Sequence, residues 1–277
     1  MGQKKLIKFA AIKEYENVLE YPQGMPGKWN SFFENLANGP YPISLDDLAV
    51  VKSDTPAQTP MKALTLELAC GRGEYAVGLA RMFPDQNFLG LDVKGNRIWK
   101  GASIANKEGI KNVAFVRTQI EQAIQYFSKE EVNEIWITFP DPQLRWSKAK
   151  KRLTHPKFLR LYQQFLKKEG IVHLKTDSPL LYNFTLKVIE MYGLHLIYKT
   201  DHLYTEQNID PRCLIKTYYE GLDIAQSNKI HYIQFNIGKD LPLELDEVLK
   251  EAIKDIPMDA GELIRMEAEA ARAKKED

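Results

Sequence analysis

LTLELACGRGEYA, residues 64–76, decides the fold class. Leu64, Leu66 and Leu68 mark a strand, and Gly71 and Gly73 mark a turn before the helical stretch GEYAVGLARM. A strand that runs through a glycine turn into a helix is how an α/β sheet offers open backbone amides to a nucleotide-like ligand. Glycine lacks a Cβ, so the chain turns tightly there and a ligand can approach the backbone closely. About 20 residues further on, Asp92 closes the strand FLGLD, the spacing expected of a carboxylate that grips ribose hydroxyls.

Further apolar strand candidates follow at VAFV (113–116), EIWITF (134–139), IVHLKT (171–176), LHLIYK (194–199) and YIQFNI (232–237). Helical patterns between the first five have the length that a parallel crossover needs. The clearest begins after Thr154, with Pro156 in its first turn and Phe158, Leu159, Tyr162, Phe165 and Leu166 on one face. The pattern predicts an α/β fold, a seven-stranded and mostly parallel sheet with helices on both faces. YIQFNI alternates apolar and polar residues, which predicts an antiparallel strand at or near an edge. Residues 1–60 read as a basic segment followed by a linker rich in Pro, Gly, Asn, Ser and Asp. Residues 61–240 read as the main domain. Residues 241–277 read as a charged helical tail, appended or frayed, with no chemistry of its own.

Composition excludes several classes. The net charge of +1 means that any contact with nucleic acid must come from a local patch. Two cysteines, Cys70 and Cys213, cannot build a disulfide framework, and no Cys/His cluster suggests a metal. Lysines interrupt the apolar start of the chain, which makes a poor signal peptide, and no run approaches the roughly 20 apolar residues of a membrane span. A reduced, cytoplasmic protein without membrane or metal is expected.

Two elements beyond the glycine turn carry chemistry. In FPDP (139–142), Pro140 and Pro142 bias Phe139 and Asp141 away from the helical region. The expected result is a stiff, extended segment that presents Asp141 at the carboxyl edge of the sheet, where open α/β folds bind ligands. Directly after it, Arg145, Lys148, Lys150, Lys151 and Arg152 crowd around Trp146. Phosphates reward such a patch and an aromatic ring can stack on a base; a solvated surface and a buried anchor are the plain alternatives. For the glycine turn itself two cofactors compete. GRGEYA satisfies the loose dinucleotide pattern and favours NAD, whereas Glu67 inside the strand resembles the acidic residue of the S-adenosylmethionine motif in Rossmann-like methyltransferases.

Together these segments resemble the bacterial tRNA (guanine-N7)-methyltransferases, Rossmann-like class I enzymes that use S-adenosylmethionine. The resemblance runs from PGKWN (26–30) to the last strand near 237 and includes FPDP, KKRLTHPKFL (150–159), HLKTD (173–177) and TYYE (217–220). It implies that Glu67, Gly71, Gly73, Asp92, Gln119 and Asp141 meet the cofactor, and that Asp141 is catalytic. It further implies that Arg145, Asp177, Thr217, Tyr219 and Glu220 meet the substrate, a guanosine in the variable loop of tRNA. Lys148, Lys150, Lys151 and Arg152 match the stretch that contacts RNA. Monomer and homodimer stay equally open. Ala69 replaces a customary glycine, acceptable where its backbone angles are ordinary. Gln119 replaces an aspartate, Gln143-Leu144 replaces Trp-Pro, and residues 46–62 and the tail look like additions. A nicotinamide oxidoreductase and a non-catalytic RNA-binding protein are the rival readings.

Overall fold

All five residues of β2 (Leu64–Leu68) are buried, Glu67 included. The strand is thus covered on both faces, as expected for a parallel sheet with helices on either side. The computed structural model describes residues 2–38, 61–222 and 229–273; the 46–62 insertion lies, up to residue 60, outside them. The chain divides into two units, Met1–Trp136 with Gln164–Lys167, and Ile137–Gln163 with Lys168–Asp277. No helix among the described residues is long and apolar enough to cross a membrane.

In the first unit β2 pairs in parallel with β3 (Asn87–Asp92), with Leu64 opposite Asn87 and Leu68 opposite Leu91. β3 pairs in parallel with β4 (Val113–Arg117), placing Asp92 opposite Arg117. The crossover helices are α3 (Glu74–Met82) and α4 (Gly95–Glu108). They close around the Phe115 ring of β4. A Cβ at Gly73 would lie 2.3 Å from that ring, and one at Gly101 would lie 2.8 Å from it. Val132–Trp136 of β5 (Val132–Thr138) also belongs to this unit.

Residues 2–38 are more than a basic segment and linker. After helix α1 (Gly2–Ile12), Val18–Glu20 forms an eighth strand, β1, parallel to β4 with Val18 opposite Phe115. Within the expected linker, α2 (Trp29–Asn38) buries Trp29, Phe32, Phe33 and Leu36. The Trp29 indole donates to Tyr126 O at 2.8 Å and stacks on Phe127 at 5.7 Å. Those four positions follow the i, i+3, i+4, i+7 rule of a helix face, obscured by the asparagines between them.

The second unit holds α5 (Pro156–Tyr162), most of β6 (Leu166–Thr176), α6 (Pro179–Tyr192), β7 (His195–Thr200) and β8 (His231–Asn236). As its alternation predicts, β8 is antiparallel, and it pairs with both β6 and β7. The strands thus number eight among the described residues, one more than expected, in a mostly parallel Rossmann-like α/β fold.

The tail is docked. Helices α7 (Leu245–Ala252) and α8 (Ala260–Ala273) follow β8, and Leu249, Ile253 and Ile256 are buried. Asp246 pairs with both terminal nitrogens of Arg160 at 3.1 and 2.5 Å and accepts from the Tyr192 hydroxyl at 2.6 Å. Glu262, with no exposed surface, accepts from Leu180 N at 3.1 Å and from the Ser178 hydroxyl, so a carboxylate of the tail serves the first turn of α6. Open amides and the helix dipole both favour an anion there.

Two stability predictions follow from these placements. Glu262→Ala strands a buried amide and hydroxyl and should lower stability by about 2–3 kcal/mol, whereas Lys254→Ala, which breaks only an exposed pair, should leave urea unfolding unchanged. Ala69 has φ +54°, a left-handed conformation that disfavours any residue with a Cβ. Ala69→Gly should therefore raise stability by up to about 1 kcal/mol, read as a later denaturation midpoint.

Candidate active site

The carboxyl ends of β2, β3 and β4 bring the predicted cofactor residues of the first unit together. Asp92, only 6% exposed, ends β3 and accepts from Gly71 N at 2.9 Å and from Lys94 N at 2.7 Å. Its main-chain oxygen accepts from Thr118 N at 3.0 Å, which ties the end of β4 to the same point. The carboxylate therefore braces the glycine turn, and each oxygen keeps a second lone pair for a ligand hydroxyl. Glu67 accepts from Ala76 N of α3 at 2.9 Å. Gln119 is exposed just past β4, with its side chain making no cap to the 120–125 turn. Gly71 and Gly73 have φ of +55° and +70°, and Phe115 fills the space a Cβ on Gly73 would need. That glycine is thus demanded by packing as well as by any ligand. A braced carboxylate for a diol, an exposed amide and a helix start fit the nucleoside portion of a cofactor. Burial, then Glu67, Asp92 and Glu74, push the Cys70 thiol well up, so it is no nucleophile.

In the second unit the FPDP segment departs from the expected extended form. Phe139 and Gln143 have φ of +47° and +50°, so the segment is pinned between two left-handed residues. Strain of this kind persists only where the surroundings enforce it. Here Phe139 N donates to Lys175 O at 2.8 Å, and Gln143 N donates to Asp141 Oδ1 at 3.0 Å. Asp141 itself is exposed.

The basic arm divides in two. Lys150 and Lys151 are exposed and Lys148 is half-buried, on a short turn spanning Trp146–Lys151. Arg152 is fully buried, so the expectation that it contacts RNA is corrected: its charge does not reach solvent. Its guanidinium donates to Pro142 O at 3.1 Å and Gln143 O at 3.0 Å, and lies 4.5 Å from the Phe184 ring and 5.5 Å from Trp146. Arg152 thus holds the segment that carries Asp141. Burial works against its charge and Glu262 of the tail supports it. Arg145 is half-buried, and its Nε has no hydrogen-bond partner among the described residues. His155 caps α5 by accepting from Lys157 N at 3.0 Å, and burial pushes its imidazole down to about 4, leaving it neutral.

Asp177 is half-buried just past β6, beside the Ser178 cap of α6. Thr217 accepts from Glu220 N at 3.1 Å, and the Tyr219 ring meets Tyr218 edge-on at 5.7 Å. Glu220 forms a buried pair with Lys175 at 3.0 Å and accepts from the Tyr204 hydroxyl. Lys175 and Tyr204 were not among the expected site residues. The signal for Lys175 was present, as the charged residue inside the strand IVHLKT. Among the described residues no cluster of His, Cys, Asp and Glu suits a metal ion.

The methyltransferase family model Methyltransf_4 matches residues 61–232. A tRNA (guanine-N(7)-)-methyltransferase of Bacteroides fragilis is 41% identical over 89% of this chain and 93% of its own length. Its counterpart in Christiangramia forsetii is 39% identical over 86% of this chain and 100% of its own. One from Porphyromonas gingivalis is 49% identical over 64% of this chain and 72% of its own. On these matches, the chain belongs to the tRNA (guanine-N(7)-)-methyltransferase family.

Proposed function

We propose that this protein transfers the methyl group of S-adenosylmethionine to N7 of a guanosine in tRNA. The observation that carries the reading is the posture of Asp141: an exposed carboxylate on a segment held by two prolines, two left-handed residues and the buried Arg152. Backbone strain of this kind clusters at catalytic and ligand-binding positions. A residue that must meet an acceptor in one orientation requires it, because orientation alone can supply several kcal/mol of a barrier.

S-adenosylmethionine supplies an electrophilic methyl group on a sulfonium. In the first unit Asp92 would accept from its ribose hydroxyls, Gln119 would bond its base, and Glu67 would face its amino acid end. In the second unit Asp141, Asp177 and Glu220 would accept from guanine's N1 and N2 groups. N7 already carries an in-plane lone pair, so no proton has to leave before attack. Methylation leaves a positive charge on the ring, and carboxylates preset around it stabilise that charge as it develops. Lys148, Lys150 and Lys151 would meet tRNA phosphates. A nicotinamide oxidoreductase has no use for Asp141 or for this arm.

Incubation with S-adenosylmethionine and unmodified tRNA, followed by nucleoside analysis, tests the reading directly. N7-methylguanosine is the expected product, and its absence would leave an RNA-binding protein without catalysis. Asp141→Ala should lower kcat by about 100-fold or more while calorimetry shows cofactor binding largely retained; near-normal turnover would remove Asp141 from the chemistry.

The arm makes its own prediction. Replacing Lys148, Lys150 and Lys151 together with Ser should weaken tRNA binding and flatten its salt dependence. Three phosphate contacts correspond to a slope change of at most about 2–3 in log K against log salt. Arg152→Ser, by contrast, should destabilise the fold, since it removes a buried guanidinium that holds two carbonyls. Parallel salt titrations for wild type and the triple variant would reduce the arm to solvated surface.

A further inference from the structure

Lys175 is a buried charged residue that the proposed chemistry does not yet use. Its side chain has no exposed surface, on a strand whose neighbours Val172 and Leu174 are ordinary core. An apolar residue would pack there without the desolvation that an ammonium suffers. The ammonium instead donates to Cys213 O at 2.8 Å, Ile215 O at 3.1 Å, the Tyr204 hydroxyl at 3.1 Å and Glu220 Oε2 at 3.0 Å. It has three protons for four acceptors, so this environment demands the charged form. Burial nonetheless pushes the group down, and Glu220 opposes that.

These contacts converge on one stretch of chain. Cys213, Ile215 and Glu220 lead through Thr217 and Tyr219, and Lys175 grips that stretch at three points. On its other side the Lys175 main-chain oxygen receives Phe139 N, and the Phe139 ring lies 5.6 Å from its ammonium. One residue thus ties the turn bearing Glu220, through its side chain, to the start of the segment bearing Asp141, through its main chain.

We infer that Lys175, assisted by Tyr204, is the positioning residue that makes Glu220 a reader of the guanine edge. This rests on the guanine-N7 reading above. One carboxylate oxygen receives Lys175 and the other receives the Tyr204 hydroxyl, which fixes the plane of the group. Each oxygen retains a lone pair. An anion held in that plane accepts from the N1–H and N2–H donors of guanine and finds no donor at N1 of adenine. Reading of an exposed base rests on such contacts to its Watson–Crick edge, and leaving a buried polar partner unmatched is what gives them discrimination. Without Lys175 the carboxylate loses the contact that holds one of its two oxygens in place.

The test uses the full-length protein with two ligated tRNAs, one with guanosine and one with inosine at the target position; inosine lacks the N2 amino group and keeps N7. Wild type should favour guanosine roughly tenfold or more in kcat/KM. Lys175→Met should bind S-adenosylmethionine with wild-type affinity, lose roughly 100-fold in kcat/KM on guanosine, and treat the two tRNAs alike. Tyr204→Phe removes one hydroxyl and little volume; it should narrow the preference while folding normally, and it decides the matter if Lys175→Met does not fold. A preference unchanged in a folded Lys175→Met, or in Tyr204→Phe where that variant decides, would overturn the inference, because a purely structural lysine slows both substrates equally. A wild type that methylates both tRNAs alike would overturn it as well, while leaving N7 transfer itself intact. A wild type that methylates neither would remove the functional reading and this inference together.

Discussion

The hydrogen bond from Gly71 N to the Asp92 carboxylate joins the turn after β2 to the end of β3. Parallel pairing sets Leu68 opposite Leu91, so the two chain ends emerge side by side and their first free polar groups must satisfy each other. The turn then has little choice of path. It passes through left-handed backbone at Ala69, Gly71 and Gly73, and the space beside Gly73 is taken by Phe115. The same carboxylate is the candidate for the ribose. A ligand therefore meets a group already oriented by two amides, and the entropy of fixing it is settled by folding.

The second unit solves a different problem with buried charge. Its candidate site residues lie in loops, where no ladder of backbone hydrogen bonds sets the path. Arg152 collects the carbonyls of Pro142 and Gln143, Lys175 collects those of Cys213 and Ile215, and Glu262 collects the amide of Leu180. Each ion is costly to bury and worth keeping only where several contacts repay its desolvation. All three sit next to residues with a proposed role at the substrate. The electrostatic support that Glu262 gives Arg152 brings the tail into the same system.

The regular strands were legible because apolar runs bounded by turn residues report burial directly, and the seven expected ones all formed. β1 was not, since Val18–Glu20 is too short for any period to register. α2 hid behind its asparagines, although Trp29, Phe32, Phe33 and Leu36 keep helical spacing. Among the site residues, Asp177 was placed by the resemblance alone, whereas the strand-end position of Asp92 could be located from the pattern. What charges do could not. Arg152 looked like its lysine neighbours in the run, and Glu262 looked like any acid on a frayed helix. Whether a charge faces water or a set of carbonyls depends on chain segments distant in sequence, and no local period records it. The left-handed Ala69 was hidden for a similar reason: alanine does not announce positive φ.

The titratable groups around the second unit's functional segments also limit the kind of catalysis available. His155 is held neutral as a helix cap, burial pushes the Cys213 thiol up to about 11, and Lys175 is committed to a carboxylate and two carbonyls. Burial and Glu220 push the Tyr204 phenol up, so it stays protonated and donates. These groups are locked in one protonation state by their surroundings, which is poor equipment for shuttling protons. It suits a reaction whose nucleophile is already a lone pair and whose product is a cation. What such a reaction requires is a set of fixed acceptors and fixed negative charge, and the buried ions of this fold hold the loops proposed to supply them.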